Sequence, residues 1–202
     1  MGNNNINLQS AKNSKDDEFY TTYDTIESEL SHYTKHFCNK VVLCNCDDPF
    51  ESNFCKFFLS NFNKFKLKRL ICTSYYASKI ASTQLPITTN GTAHHTNCCG
   101  YVLDTEKFCE DEDISDELIS KHLSKPGVIK PLKGDGDFRS PECIEYLMLS
   151  DIVVTNPPFS LFKELVSLLM KHHKSFLLIG NQNALTYAHG LHGRQERTDI
   201  RH

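Results

Sequence analysis

The sequence is poor in the features that mark non-globular chains. Its 202 residues include only nine glycines and seven prolines, without a period, which excludes fibrous and collagen-like classes. No apolar run approaches the ~18 residues needed to cross a bilayer, so no membrane partner is expected. The first residues lack the basic and apolar segments of a secretory leader; Asn3, Asn4 and Asn5 open a polar stretch that runs to Ser14. A cytoplasmic location is the expectation. A surplus of positive charge is also missing: the formal net charge is −3 and the pI about 6.3, whereas nucleic-acid-binding domains commonly exceed a pI of ~9. Composition alone therefore announces no nucleic-acid partner.

What is present is a globular mixture, 39% hydrophobic and 23% charged. Nine cysteines, an odd number in a chain with no visible leader, point to a reducing compartment. The length suits one compact, monomeric domain that buries ~70% of its unfolded-chain surface. The organisation expected is a disordered tail over residues 1–14, a domain over 15–187 with a variable insertion at 77–133, and a His/Arg-rich disordered tail over 188–202.

Along the domain, helical spacing alternates with short, continuously apolar runs. Ile26, Leu30, Tyr33 and Phe37 recur at three- and four-residue intervals in a helix opening near Asp16 or Thr25. Val41 to Cys46 then reads as a strand buried on both faces, and Pro49 ends it. Residues 51–63 return to helical spacing, and Leu70 to Tyr75 is a second buried strand. A short strand at Cys99 to Leu103 and an amphipathic segment through Ile119 and Leu123 follow. Then come a helix over Pro141–Leu149, a strand from Asp151 to Thr155, a helix over Leu161–His172 and a strand from Ser175 to Gly180. Strands that alternate with helices imply an α/β fold, a mostly parallel sheet covered by helices on both faces.

In such sheets ligands bind beyond the carboxyl ends of the strands. Three strands here end in polar or proline-containing segments, Asn45 to Asp48, Thr73 to Tyr75 and Asn156 to Phe159. The loop Gly134-Asp135-Gly136-Asp137-Phe138 is a further segment able to approach a ligand closely. Asn156-Pro157-Pro158-Phe159 is the most informative. Two prolines remove two N–H donors, so the loop presents carbonyls; Asn156 adds a side-chain carbonyl and Phe159 an aromatic face. Acceptors beside a stacking surface suit a planar, amino-bearing ring. Zinc is not expected, because the adjacent pairs His94-His95 and Cys98-Cys99 lack the usual ligand spacing.

Five blocks in order carry a family resemblance: Lys15 to Thr21, Cys44 to Pro49, Gly134 to Ser140, Asp151 to Phe162 and Ile179 to Ala184. From about Ala11 to Tyr187 the chain resembles the EcoRI-like adenine-specific DNA methyltransferases. The resemblance implies a Rossmann-like fold that binds S-adenosylmethionine and methylates N6 of an adenine flipped out of double-stranded DNA. It implies that Asn156 and the carbonyl of Pro157, followed by Pro158, hold the amino group while Phe159 stacks on the base. It assigns the methyl donor to Phe19, Tyr20 and Thr21, to Asp48 and Pro49, and to Asp137 and Phe138. Two features depart from the wider superfamily. The turn after the first strand is not glycine-rich, and the second strand ends without a carboxylate. The resemblance fades after Tyr187, so a fold incomplete at its C-terminus is expected. The alternative is a catalytically inactive fragment that keeps only cofactor or weak nucleic-acid binding.

Overall fold

In the computed structural model, which describes residues 21–75, 99–108 and 114–179, helices and strands follow one another in this order. Helix α1 (Tyr23–Leu30) and the short α2 (Thr34–Phe37) precede β1 (Val41–Asn45), α3 (Asn53–Ser60) and β2 (Arg69–Ser74). Strand β3 (Tyr101–Thr105), α4 (Asp116–Leu123) and β4 (Ile129–Pro131) come next. Helix α5 (Pro141–Leu149), β5 (Ile152–Thr155), α6 (Phe162–Lys171) and β6 (Ser175–Leu178) complete the set.

The six strands form one mixed sheet in the order β4-β3-β2-β1-β5-β6. β1 pairs in parallel with β2 and β5, and β5 with β6; β3 and β4 join antiparallel at the β2 edge. Both faces are covered, as the continuous apolar runs require. Val42, Cys44, Leu70, Cys72 and Val154 face a core built with Ile26, Leu30, Phe54, Phe58 and Leu123 from α1, α3 and α4. The alternate residues Val41, Leu43, Ile71 and Val153 face Cys143 and Leu147 of α5 and Phe162, Leu165 and Leu169 of α6. Each such Leu, Ile or Phe contributes ~1.5–3 kcal/mol by leaving water. Cys44 and Cys72 are register partners on neighbouring strands; burial pushes the Cys44 thiol up to about 11 and raises Cys72 as well. No helix of the described residues is long and apolar enough to cross a membrane.

Capping sets the helix starts. Ser52, Ser115 and Ser140 accept hydrogen bonds from the first-turn amides of α3, α4 and α5, and Pro141 follows Ser140 where its missing N–H costs nothing. The structure departs from the sequence expectation in three places. The first helix is interrupted by a 3-10 turn at Ser31–Tyr33. The third strand starts at Tyr101 rather than Cys99 and runs antiparallel, fastened to β2 by a fork between Arg69 and Asp104 with two contacts of 2.7 Å. Strand β4 was not anticipated, because a three-residue segment ending in proline carries no strand periodicity. The described parts of 77–133 thus supply two strands to the common sheet.

Candidate functional site

β1 and β5 are neighbours, so the loops that leave their carboxyl ends meet. Cys46 adopts a left-handed conformation (φ 66°), which turns the chain so that the Asp47 N–H donates to the Thr73 carbonyl at 3.2 Å. The Asp47 carboxyl is then buried at the junction. Ser52 Oγ donates to its Oδ1 at 2.7 Å, and the backbone N–H of Asn156 also donates to the group. Its Oδ2 lies 2.6 Å from Thr155 Oγ1, which meets the Asn45 carbonyl as well. Burial is the main cause that pushes this acid up to about 7; the bonds from Thr155, Ser52 and Asn156 oppose the rise, and the Asp48 charge adds to it.

Asp48 follows a different pattern. Its carboxylate accepts the Phe50 N–H at 2.9 Å and the Tyr101 hydroxyl, so it shapes the turn and ties it to β3. Pro49 is buried beside it, and the Phe50 and Tyr101 rings lie 6.1 Å apart. Ser52 Oγ, besides its bond to Asp47, accepts from Phe54 N and Cys55 N and so opens α3. Asn53 Nδ2 donates to the Thr21 carbonyl at 2.9 Å, which brings the segment before α1 to the same edge.

Three buried oxygens here have no hydrogen-bond partner among the described residues: Thr21 Oγ1, Asn45 Oδ1 and Thr73 Oγ1. Asn45 and Thr73 are register partners at the ends of β1 and β2. An unmade bond to a buried polar atom costs about 1–3 kcal/mol. Placed side by side at the strand ends, the Asn45 and Thr73 oxygens have the chemistry to receive a polar ligand lying across the edge.

The Gly/Asp loop packs against the end of β2. The close approach expected there is made to the protein's own backbone. A Cβ on Gly136, which has φ +83°, would lie 2.0 Å from the Ser74 carbonyl oxygen, and one on Gly100 would lie 2.4 Å from the same atom. Asp135 and Asp137 then form successive turns, Oδ1 of each accepting the N–H two residues on at 3.0 and 2.8 Å. Asp137 is further held by the Arg139 guanidinium (2.6 Å), which keeps its carboxyl below the ordinary range. Arg139 also reaches Glu164, so the loop is tied to α6; Phe138 is buried against the α5–α6 side.

Asn156 is half-buried, Pro157 buried, and Pro158 and Phe159 half-buried. Phe159–Leu161 forms a 3-10 turn that leads into α6, closed by Leu161 N donating to the Pro158 carbonyl at 3.0 Å.

The fold thus joins the loop that carries Asp48 and Pro49 to Asn156 through Asp47, ties Asp48 to Tyr101 of β3, sets Thr21 at the start of α3, and places Asp137 and Phe138 against β2 and α6. Phe19 and Tyr20 lie outside the described residues, as do His94, His95 and Cys98. Among the described residues no group of three or more His, Cys, Asp or Glu converges as a metal site. Sequence reasoning placed Asn45 and Thr73 at the ligand-facing strand ends without pairing them, and it missed the carboxyl junction at Asp47. A polar residue ending an otherwise apolar strand was the available signal for the first pair; for Asp47 nothing distinguishes a buried acid from a turn-forming one.

Residues 7–192 match the family model described as adenine-specific methyltransferase EcoRI, a span slightly wider at both ends than the resemblance read from the motifs. The chain is 45% identical over 180 residues to the type II methyltransferase M.EcoRI of Escherichia coli, which covers 89% of this chain and 50% of that protein. It is 38% identical over 179 residues to the type II methyltransferase M.MgeORF184P of Mycoplasma genitalium, covering 89% and 45%. It is also 38% identical over 177 residues to the type II methyltransferase M.MpnI of Mycoplasma pneumoniae, covering 88% and 44%. The chain spans about half the length of the curated relatives it matches. No solved structure matches.

Proposed function

The chain belongs to the EcoRI family of adenine-specific methyltransferases, and on that premise we propose that it transfers a methyl group from S-adenosylmethionine to N6 of an adenine flipped out of double-stranded DNA. The observation that carries the reading is the meeting of the Asn156 loop and the β1 loop at one buried carboxyl. Two segments that need to face each other, one for the base and one for the donor, are fastened at a single point.

The chemistry follows from the groups present. The Asn156 side-chain carbonyl and the Pro157 carbonyl would accept the two amino hydrogens, and Phe159 would stack on the ring. Drawing both hydrogens toward acceptors leaves the nitrogen lone pair more available for attack. S-adenosylmethionine, when bound, supplies an electrophilic methyl group whose bond to sulfur breaks as the bond to N6 forms, after which the nitrogen releases a proton. Thr21, Asn45 and Thr73 fit a ligand of that polarity through their unpartnered oxygens. With Phe19, Tyr20, Asp48, Pro49, Asp137 and Phe138 they would hold it across the strand ends. Positioning and fixed dipoles would supply most of the acceleration, and extrusion of the base gives access to its amino group.

A second reading is a chain that binds the donor without modifying DNA. Incubation of the purified chain with mixed-sequence DNA and radiolabelled S-adenosylmethionine separates the two. Methyl transfer that drops ~100-fold in Asn156→Ala, the scale seen when one preorganised polar group is removed, supports the first. An unchanged rate in that variant would defeat the mechanism, and donor binding without transfer by the wild-type chain would select the second reading.

A further inference from the structure

Asp47 belongs neither to the base-holding loop nor to the donor-binding residues assigned above, yet it touches both loops. The hydrogen count at its junction is informative. Thr155 Oγ1 carries one hydrogen and faces two acceptors, the Asn45 carbonyl and Asp47 Oδ2. With an ionised Asp47, one of those contacts sets lone pair against lone pair in a buried site. A hydrogen on Oδ2 removes the conflict: Asp47 donates to Thr155, Thr155 donates to Asn45, and Oδ1 stays free to accept from Ser52 at 2.7 Å. The remaining bond, from the Asn156 N–H, fixes the backbone of the residue whose side chain would meet the target amine.

We propose that Asp47, in its neutral form, is the positioning residue of the Asn156 loop, holding the carboxyl ends of β1 and β5 together through Thr155 so that the acceptors on Asn156 and Pro157 face the incoming base. This role rests on the methyltransferase reading above. Two acidic or thiol groups act electrostatically with Asp47, namely Asp48 on the same loop and Cys44 on β1. The other faces of the junction are closed by uncharged donors, Ser52 at the start of α3 and Thr155 and Asn156 at the end of β5. Burial of the carboxyl, which raises its affinity for a proton, favours the same protonation state as the hydrogen count.

The test compares Asp47→Asn with Asp47→Ala in the full chain. An asparagine amide reproduces the neutral acid, since its NH2 can donate to Thr155 and its carbonyl can accept from Ser52 and Asn156; alanine supplies neither. Amide hydrogen exchange at Asn156, read by NMR, should be at least tenfold faster in Asp47→Ala and within threefold of wild type in Asp47→Asn. Methyl transfer should show a kcat at least tenfold lower in Asp47→Ala, an unchanged KM for S-adenosylmethionine, and recovery in Asp47→Asn. Unchanged Asn156 exchange in Asp47→Ala would overturn the proposal. So would an Asp47→Asn variant as impaired as Asp47→Ala, or a loss confined to donor KM. A wild-type chain with no transfer at all would defeat the functional reading alone, and the exchange comparison would still decide whether Asp47 holds Asn156.

Discussion

The two ends of the parallel strands are built to different standards. At the amino ends the polar groups are paired. Asp151 Oδ2 accepts the Val41 N–H at 2.8 Å, and Lys68 N donates to the Lys40 carbonyl at 3.0 Å. Lys174 Nζ donates to the carbonyls of Ser150 (2.7 Å) and Met148 (3.0 Å). At the carboxyl ends the same strands carry Asn45 and Thr73 with buried oxygens that have no partner among the described residues, a left-handed Cys46 and a carboxyl with little access to water. Both ends close the same layers of packed side chains, so the contrast does not arise from the core. Buried polar groups without a partner are rare in folded proteins, and a ligand lying across the carboxyl ends would supply the missing bonds.

That contrast can be broken most forcefully at Gly136. An alanine there would drive its Cβ into the Ser74 carbonyl in a conformation L residues avoid, so Gly136→Ala should lower unfolding free energy by about 3 kcal/mol. Urea denaturation measures the loss. A result within experimental error of wild type would mean that the loop is not seated on β2.

Next in size is the pH response of the carboxyl end. Asp47 has an ordinary acid value of 3.8 and is pushed up to about 7 in the folded chain. Between those values the folded protein keeps the proton that the unfolded chain has released. The stabilisation is therefore complete below about pH 4, declines as pH rises, and is gone above about 7. Asp47→Asn should flatten this part of the stability profile, read as the difference in urea midpoint between pH 5 and pH 8. A slope that persists in the variant would assign it to another group.

The smallest effects are a pair of opposite sign. Asp151→Ala, at the amino end, should cost about 1 kcal/mol by leaving the Val41 N–H without its acceptor. Thr73→Val, at the carboxyl end, should gain about 1 kcal/mol by replacing an unpartnered hydroxyl with a methyl group of similar size. Calorimetric titration with S-adenosylmethionine completes the comparison: affinity should fall in Thr73→Val and stay level in Asp151→Ala. Equal signs for the two stability changes would remove the distinction between the ends.

Much of this architecture was legible in the residues. The runs at Val41, Leu70 and Ile152 are apolar without alternation because helices cover both faces, and the Ser140-Pro141 start of α5 announces itself by capping chemistry. The antiparallel pair β3–β4 was not legible in the same way. Its direction is set by partners far off in the chain, Arg69 with Asp104 and Tyr101 with Pro131, rather than by local spacing. At the candidate site the Asn156 loop was readable from its prolines. The glycines of the 134–138 loop were readable as a demand for close approach, but what they approach, the Ser74 carbonyl, is known only once β2 and the loop are side by side. Asp47 stayed hidden for the related reason that its burial is a property of three segments meeting.

The thiols stacked across β1 and β2 have a consequence for chemical ageing. Oxidants attack the thiolate, and burial keeps Cys44 and Cys72 in the protonated form, with Cys55 also buried in the same core. Among the described cysteines, damage from peroxide should thus fall first on the exposed Cys38 and Cys99. The interior sulfurs are consumed only in molecules whose core has already opened, so their loss measures how often the fold comes apart.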